Sequence, residues 1–183
     1  MNCEKPIQLD VMQEAELSAY QSLYLDAFPA DERKPFSLLQ TRAAEGRAEL
    51  LSIHYEGAFA GLVITLLYQN YVLVDYFAVS PDYRNHGIGA CVLDLIRARY
   101  DGRLIFLEIE DPKTELQERR RGFYIRNGIL PTGLAVELFG VDMLILSDGG
   151  RPVPFEDYTA LLLHAAGPYT QGKVKFRSFT TAK

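Results

Sequence analysis

The chain has no tryptophan, only two cysteines and three histidines among its 183 residues, and basic residues are the minority of its charges. Lysine and arginine total 19 against 24 aspartates and glutamates, so the net charge is -5. We therefore expect no nucleic-acid partner, because binding to a phosphate backbone needs a positive field. The three histidines lack the spacing of metal ligands, and we expect no metal site.

Targeting and membrane signals are also scarce. The first residues contain no apolar stretch of the kind that a secretory signal needs. No apolar run approaches the roughly 18 residues required to cross a membrane, so we expect no membrane partner. Cys3 and Cys91 lie far apart, which argues against a disulfide framework and fits a reducing compartment. The sequence predicts a cytoplasmic protein, either a monomer or a homodimer.

Length and hydrophobic pattern favour one folded domain. A chain of 183 residues with 48% hydrophobic residues suits one core and is short for two. The periodicity predicts strands at 7–11, 50–55, 58–67, 71–79, 103–109 and 173–177, and helices at 14–28, 36–44, from 87 onward, 113–126 and 154–166. Residues 134–146 hold either one long bent strand or two short ones. This order predicts a mixed α/β (α+β) fold around a mostly antiparallel sheet, in a single domain covering 1–183.

One strand–loop–helix segment carries most of the chemical information. A buried strand ends at Ser80-Pro81, a loop follows, and a helix begins near Gly87. Helix N-termini attract phosphate oxygens through unpaired N–H groups, and glycines at 87 and 89 leave room for the ligand. The segment is not a P-loop, because no Gly-Lys-Ser/Thr follows, and Val92 occupies the place of the third small residue in a dinucleotide-binding fingerprint.

The stretch from Val79 to Gly89 resembles motif A of the GNAT superfamily of acetyl-CoA-dependent N-acetyltransferases. A second block resembles the family's Leu-Glu-Val strand and the helix end after it, in Leu107-Glu108-Ile109 and then 122–128. The motif core spans 71–132, and no motif places the C-terminal extension at 150–183. The resemblance implies helices on both faces of the sheet and two splayed parallel strands that bind the coenzyme.

The resemblance also implies a set of residues that bind acetyl-CoA, the expected co-substrate. The backbone of three strand residues would pair with the pantetheine arm, as an added strand pairs with a sheet edge: Phe77, Ala78 and Val79. The backbone amides of the following loop would hold the pyrophosphate: Arg84, Asn85, His86, Gly87, Ile88, Gly89 and Ala90.

Acetyl transfer to an amine also needs a base, because an alkylammonium has a pKa near 10 and only the neutral amine attacks. By resemblance, Tyr124 is the acid that faces the thioester sulfur; the alternative is a core tyrosine with a satisfied hydroxyl. Glu108 is the candidate base in an otherwise apolar strand, and Glu110 shares its face, where two carboxylates would attract a cationic amine. The alternative is that both glutamates lie at a frayed strand end in solvent. Asp75 is either a second base or the buried partner of an arginine.

The acceptor that we expect is a primary amine of a small molecule or of a peptide or protein N-terminus. Two other functions remain open from the sequence. One is a non-catalytic acyl-CoA-binding sensor or regulatory module. The other is a structural domain that keeps the fold without a ligand.

Overall fold

The structure is a computed structural model that describes residues 6–30 and 32–179. Within these residues it contains eight β-strands, mostly antiparallel to their neighbours, and five α-helices. The predicted mixed α/β fold is therefore confirmed. The chain divides into two compact units, one formed by Met1–Leu66 and Val74–Asp101 and the other by Leu67–Leu73 and Gly102–Lys183.

The first unit contains a meander of antiparallel strands and three helices. Its elements are β1 (Ile7–Val11), α1 (Leu17–Ala27), α2 (Phe36–Ala44), β2 (Ala48–Tyr55), most of β3 (Ala58–Tyr68), most of β4 (Tyr71–Val79) and α3 (Ile88–Arg99). β2 pairs with both β1 and β3. The turn between β2 and β3 has positive φ at Glu56 and Gly57, as the predicted tight hairpin requires.

A bulge in β3 lies beside the end of β4. The register between β2 and β3 shifts after Ile53, and the carbonyl of Ala60 on β3 accepts a hydrogen bond from Ser80 N–H at 2.8 Å. Beside it, Gly61 lies so close to β4 that a Cβ there would meet the Ala78 carbonyl oxygen at 2.4 Å. Glycine is therefore required for this approach of the two strands.

Besides the end of β3 and the start of β4, the second unit contains four antiparallel strands and two helices. Its elements are β5 (Leu104–Glu110), α4 (Glu115–Arg126), β6 (Ile129–Leu138), β7 (Val141–Asp148), α5 (Phe155–Ala166) and β8 (Val174–Phe179). The strand order is β5-β7-β6-β8, so β8 lies at an edge, as its alternating sequence predicts. α4 starts with a capping box formed by Thr114 and Gln117.

Two expectations need correction. Residues 134–146 belong to two strands rather than one, but β6 begins five residues earlier than predicted. Pro131 lies within β6, beside a register shift between Pro131 and Ala135, where a strand tolerates proline. The expectation for the cysteines is wrong, because Cys91, on α3, is disulfide-bonded. Cys3 lies outside the described residues.

Among the described residues, no helix combines the length and the apolar character that crossing a bilayer requires. The same residues contain no group of three or more His, Cys, Asp or Glu side chains arranged to hold a metal ion.

Candidate active site

The loop before α3 has the backbone conformation of an anion-binding site. Pro81–Tyr83 forms a short 3-10 turn, and Asn85 and Gly87 then adopt positive φ angles of 66° and 73°. Gly87 is the N-cap of α3, whose first N–H groups have no partner within the helix. The loop residues 84–87 are exposed to solvent. Left-handed residues followed by a helix N-terminus form a concave array of amides, which fits a pyrophosphate.

Side-chain contacts brace this loop against the end of β4. The Arg84 Nε donates to the Val79 carbonyl at 3.1 Å, and His86 Nδ1 lies 2.9 Å from the Arg84 carbonyl oxygen. The ring of Tyr55, at the end of β2, packs against Tyr83 and His86, with centroids 6.2 and 5.9 Å apart. The Arg84 amide already donates to the Pro81 carbonyl at 3.3 Å, so it is less available to a ligand than the amides that follow.

Buried and partly exposed side chains alternate along the last residues of β4, as expected for a strand with one buried face. Tyr76 and Ala78 are buried, whereas Phe77 and Val79 keep part of their surface exposed. The hydrogen bond from Ser80 to Ala60 and the approach of Gly61 hold this end in place. The pairing of residues 77–79 with a pantetheine arm stays a prediction.

Asp75 is a buried ion-pair partner, but of a lysine and not of the arginine that the sequence suggested. The Lys34 ammonium lies 2.7 and 2.9 Å from the two Asp75 carboxylate oxygens, and the side chains are only 5% and 3% exposed. The Tyr76 hydroxyl accepts from the Lys34 amide and donates to the Glu32 carbonyl. The Tyr24 hydroxyl donates to the Lys34 carbonyl. These contacts tie the connection between α1 and α2 to β4.

In the second unit, β5 presents two carboxylates that are both engaged. Glu108 and Glu110 are partly exposed, whereas Leu107 and Ile109 between and beside them are buried. Glu108 Oε1 accepts a hydrogen bond of 2.6 Å from the hydroxyl of Tyr158 on α5. Glu110 accepts a hydrogen bond from the side-chain amide of Gln117, in the capping box of α4. Neither glutamate lies at a frayed strand end.

Tyr124 lies on α4, with its ring edge against Phe123 at a centroid distance of 5.2 Å. Part of its surface remains exposed. Desolvation by the surroundings nevertheless raises the pKa of Tyr124 to about 12, against a smaller opposing effect of the Arg120 charge. Among the described residues, none forms a hydrogen bond with its hydroxyl. Tyr124 thus differs from a core tyrosine with a satisfied hydroxyl.

Sequence reasoning missed two residues that contact the candidates. Lys34 lies in a polar stretch between two predicted helices, where nothing points to burial. Tyr158 lies on α5 among apolar residues at helical spacing, which marks it as core, and it is indeed fully buried. Its hydrogen bond with Glu108 joins residues 50 positions apart.

Comparison with protein families gives a match to the Acetyltransferase (GNAT) family over residues 12–126, well over half of the chain. The chain belongs to this family. The GNAT match covers the loop before α3, β5 and all of α4. As the sequence predicted, the protein is an acetyltransferase of the GNAT family, which in general uses acetyl-CoA.

Solved structures with the same fold include three acetyltransferases. One is a protein from Bacteroides thetaiotaomicron assigned to the GNAT family, with a TM-score of 0.72, 21% identity, and 87% of this chain and 98% of that one covered. Another is the ribosomal-protein-S18-alanine N-acetyltransferase from Escherichia coli, with a TM-score of 0.61, 16% identity and coverages of 81% and 97%.

The third is the spermidine N-acetyltransferase from Vibrio cholerae, with a TM-score of 0.61, 12% identity and coverages of 77% and 92%. At these identities the likeness extends to the fold. Comparison with curated protein sequences finds no match.

Proposed function

We propose that this GNAT protein transfers the acetyl group of acetyl-CoA to a primary amine of a small molecule or of a peptide or protein N-terminus. Residues 1–183 would act as one N-acetyltransferase domain. The observation that carries the proposal is the loop before α3, where left-handed Asn85 and Gly87 lead into the helix N-terminus. A pyrophosphate suits such an array because backbone amides and the helix dipole both favour negative charge.

The loop and β4 would hold the coenzyme, which supplies an acetyl group activated as a thioester. The amides of the loop and of the first turn of α3 would donate to the pyrophosphate, with Arg84 contributing mainly through its brace to Val79. The backbone of Phe77, Ala78 and Val79 would pair with the pantetheine arm. Asp75 would act indirectly, because its carboxylate is already paired with Lys34.

Glu108, Glu110 and Tyr124 would handle the protons. Glu108 would accept a proton from the acceptor ammonium, directly or through a water, and the neighbouring negative charge of Glu110 would help attract the cation. A Tyr124 hydroxyl with a pKa of about 12 keeps its proton at neutral pH, so it is in the correct state to donate to the departing sulfur.

A primary amine as acceptor is supported by chemistry and by the structural neighbours. The net charge of -5 and the pair of carboxylates favour a cationic substrate. The names of the neighbours indicate an alanine of a ribosomal protein and spermidine as substrates, both of which offer amines. The alternative function is a non-catalytic acyl-CoA-binding module, which would bind the coenzyme without turnover.

Two measurements test the proposal. Calorimetry with acetyl-CoA should show binding that Gly89→Val weakens by at least about tenfold, or about 1.4 kcal/mol, because the new side chain stands among the phosphate-binding amides. The control is Ala98→Val, at the exposed far end of the same helix.

The second measurement is the release of free coenzyme A thiol from acetyl-CoA in the presence of polyamines, amino acids, aminoglycosides and peptides. If Gly89→Val and Ala98→Val bind acetyl-CoA equally well, the proposed coenzyme site is refuted. If the wild-type protein binds acetyl-CoA but releases no thiol with any amine, the acyl-CoA-binding module is favoured instead.

A further inference from the structure

The C-terminal helix α5 places a phenol against the candidate base. Tyr158 is 0% exposed, and its ring packs between Phe106 on β5 and Phe155 on α5, with centroid distances of 6.3 and 6.5 Å. Its amide donates to the Pro154 carbonyl at 3.0 Å in the first turn of α5. Because the ring is fully buried in a close-packed interior, the position of the hydroxyl is determined by the packing around α5.

The contact between Tyr158 and Glu108 has the geometry of a charge-assisted hydrogen bond. The hydroxyl oxygen lies 2.6 Å from Glu108 Oε1, within the range for an O–H donor to a carboxylate. A donor of this kind stabilises the charged carboxylate relative to the neutral acid. It also fixes the orientation of the Glu108 side chain, which a general base needs for proton transfer.

A second tyrosine–carboxylate pair lies beside the first, with the roles of helix and strand exchanged. The Tyr71 hydroxyl, at the start of β4, donates to Asp157 Oδ2 on α5 at 2.6 Å. This hydrogen bond, followed by burial, raises the pKa of Tyr71. The two pairs hold the first turn of α5 in similar ways, yet only Tyr158 contacts Glu108. Asp157 therefore offers a matched control for the docking of α5.

We propose that Tyr158 is a positioning residue that keeps Glu108 charged and oriented until an acceptor ammonium arrives. This inference rests on the proposed function, and it gives the C-terminal extension a role in the reaction. The proton leaves the ammonium nitrogen, whose lone pair becomes free to attack, and it binds a carboxylate oxygen of Glu108. Tyr158 keeps its own proton throughout, and Glu108 later releases the transferred proton to water.

Several groups on β5, β7 and α5 lie near Glu108 and bear on its titration. Glu110 shares the face of β5 and is hydrogen-bonded to Gln117. On β7 the residue opposite Glu108 is Ile145, which is uncharged. On α5, Asp157 is engaged with Tyr71. Tyr158 is thus the donor on α5 whose removal should change the titration of Glu108.

The experiment compares Tyr158→Phe with Asp157→Asn in the full chain, on one confirmed amine acceptor. Tyr158→Phe should lower kcat by about tenfold and leave the KM for acetyl-CoA unchanged. It should also move the acidic limb of the pH–rate profile upward by about one pH unit, because the carboxylate loses a donor that favours its charged form. Asp157→Asn should keep the wild-type profile. Glu108→Asp, which withdraws the carboxylate from Tyr158 but keeps its charge, should shift the limb in the same direction.

A second measurement separates this inference from the proposed function. Carbon-13 NMR of labelled glutamate side chains, assigned with Glu108→Gln, follows the Glu108 titration without any substrate. The midpoint of the Glu108 titration should rise in Tyr158→Phe and not in Asp157→Asn.

An unchanged midpoint in Tyr158→Phe would overturn the role of Tyr158, even in an active enzyme. A shifted midpoint in a protein that acetylates no amine would instead refute the proposed function. If Glu108→Gln has wild-type kinetics, Glu108 is not the base, and the role of Tyr158 in the reaction is overturned with it.

Discussion

At the scale of single residues, the hydroxyl of Tyr124 stands out because burial raises its pKa and, among the described residues, none pairs with it. A phenol that makes no hydrogen bond within the protein adds none of the stabilisation that such a bond would give. Tyr158 is the opposite case, because its hydroxyl is bonded to a carboxylate. The two tyrosines should therefore respond differently to the same substitution.

We expect Tyr124→Phe to lower kcat by about 10²–10⁴, the usual contribution of a positioned acid, without changing the affinity for acetyl-CoA. The free energy of unfolding should stay the same or rise slightly, because no hydrogen bond is lost. A pKa of about 12 also means that Tyr124 should produce no basic limb in the pH–rate profile below about pH 11. Steady-state kinetics, calorimetry and urea denaturation measure these three quantities.

The control is Tyr68→Phe, which removes a hydroxyl that accepts from the Gln69 side chain outside the candidate site. It should leave kcat at the wild-type value. If Tyr124→Phe is fully active, Tyr124 is a packing residue; if only its KM rises, the side chain contacts the ligand without taking part in proton transfer.

At the scale of elements, the end of β4 depends on one glycine of the neighbouring strand. A Cβ at position 61 would stand 2.4 Å from the Ala78 carbonyl oxygen, 3.0 Å from Ile53 Cδ1 and 3.1 Å from Val79 Cα. The first and third contacts involve backbone atoms, which cannot move aside without displacing β4. The displaced residues are those whose backbone we propose to pair with the coenzyme.

We therefore expect Gly61→Ala to weaken acetyl-CoA binding by at least about tenfold and to destabilise the fold by roughly 1–3 kcal/mol, the usual cost of overpacking. Calorimetry and urea denaturation measure the two effects. In the control, Gly122→Ala on α4, the new Cβ would meet only the flexible end of Arg126, at 3.0 Å. That variant should be neutral or more stable, since alanine favours a helix. A Gly61→Ala protein with wild-type affinity would show that β4 has room to adjust.

The sequence predicts those features whose residues are close together in the chain, and it misses those that depend on distant residues. The strand, loop and helix around Gly87 follow one another in the sequence from Tyr71 to Arg99, so one segment contains the whole of this loop and its supports. The partners Lys34 and Asp75 are 41 residues apart, and Tyr158 and Glu108 are 50 apart. Hydrophobic periodicity indicates that such residues face inward, but not which of them meet.

At the scale of the whole molecule, the buried ion pair of Lys34 and Asp75 should contribute to global stability in an asymmetric way. Its charges are removed from water, and the Lys34 ammonium also lies 5.3 Å from the centre of the Tyr76 ring. Taking two charges out of water costs several kcal/mol for each ion, and the attraction between them offsets much of this cost. Removal of one partner is therefore worse than removal of both.

We expect Asp75→Asn to lower the free energy of unfolding by about 3–5 kcal/mol, because it leaves the Lys34 ammonium buried without its counter-charge. The double variant Lys34→Met with Asp75→Leu should lose clearly less stability, since no uncompensated charge remains.

The control is Glu137→Gln, which breaks the exposed pair with Lys175 and should cost at most about 1 kcal/mol. Urea denaturation of Lys34→Met, of Asp75→Leu and of the double variant gives the coupling energy of the pair. If Asp75→Asn lowers the free energy of unfolding no more than Glu137→Gln does, then water reaches the Lys34 ammonium and the pair is not excluded from solvent. A double variant as unstable as Asp75→Asn would instead show that the side chains matter for their shape rather than for their charge.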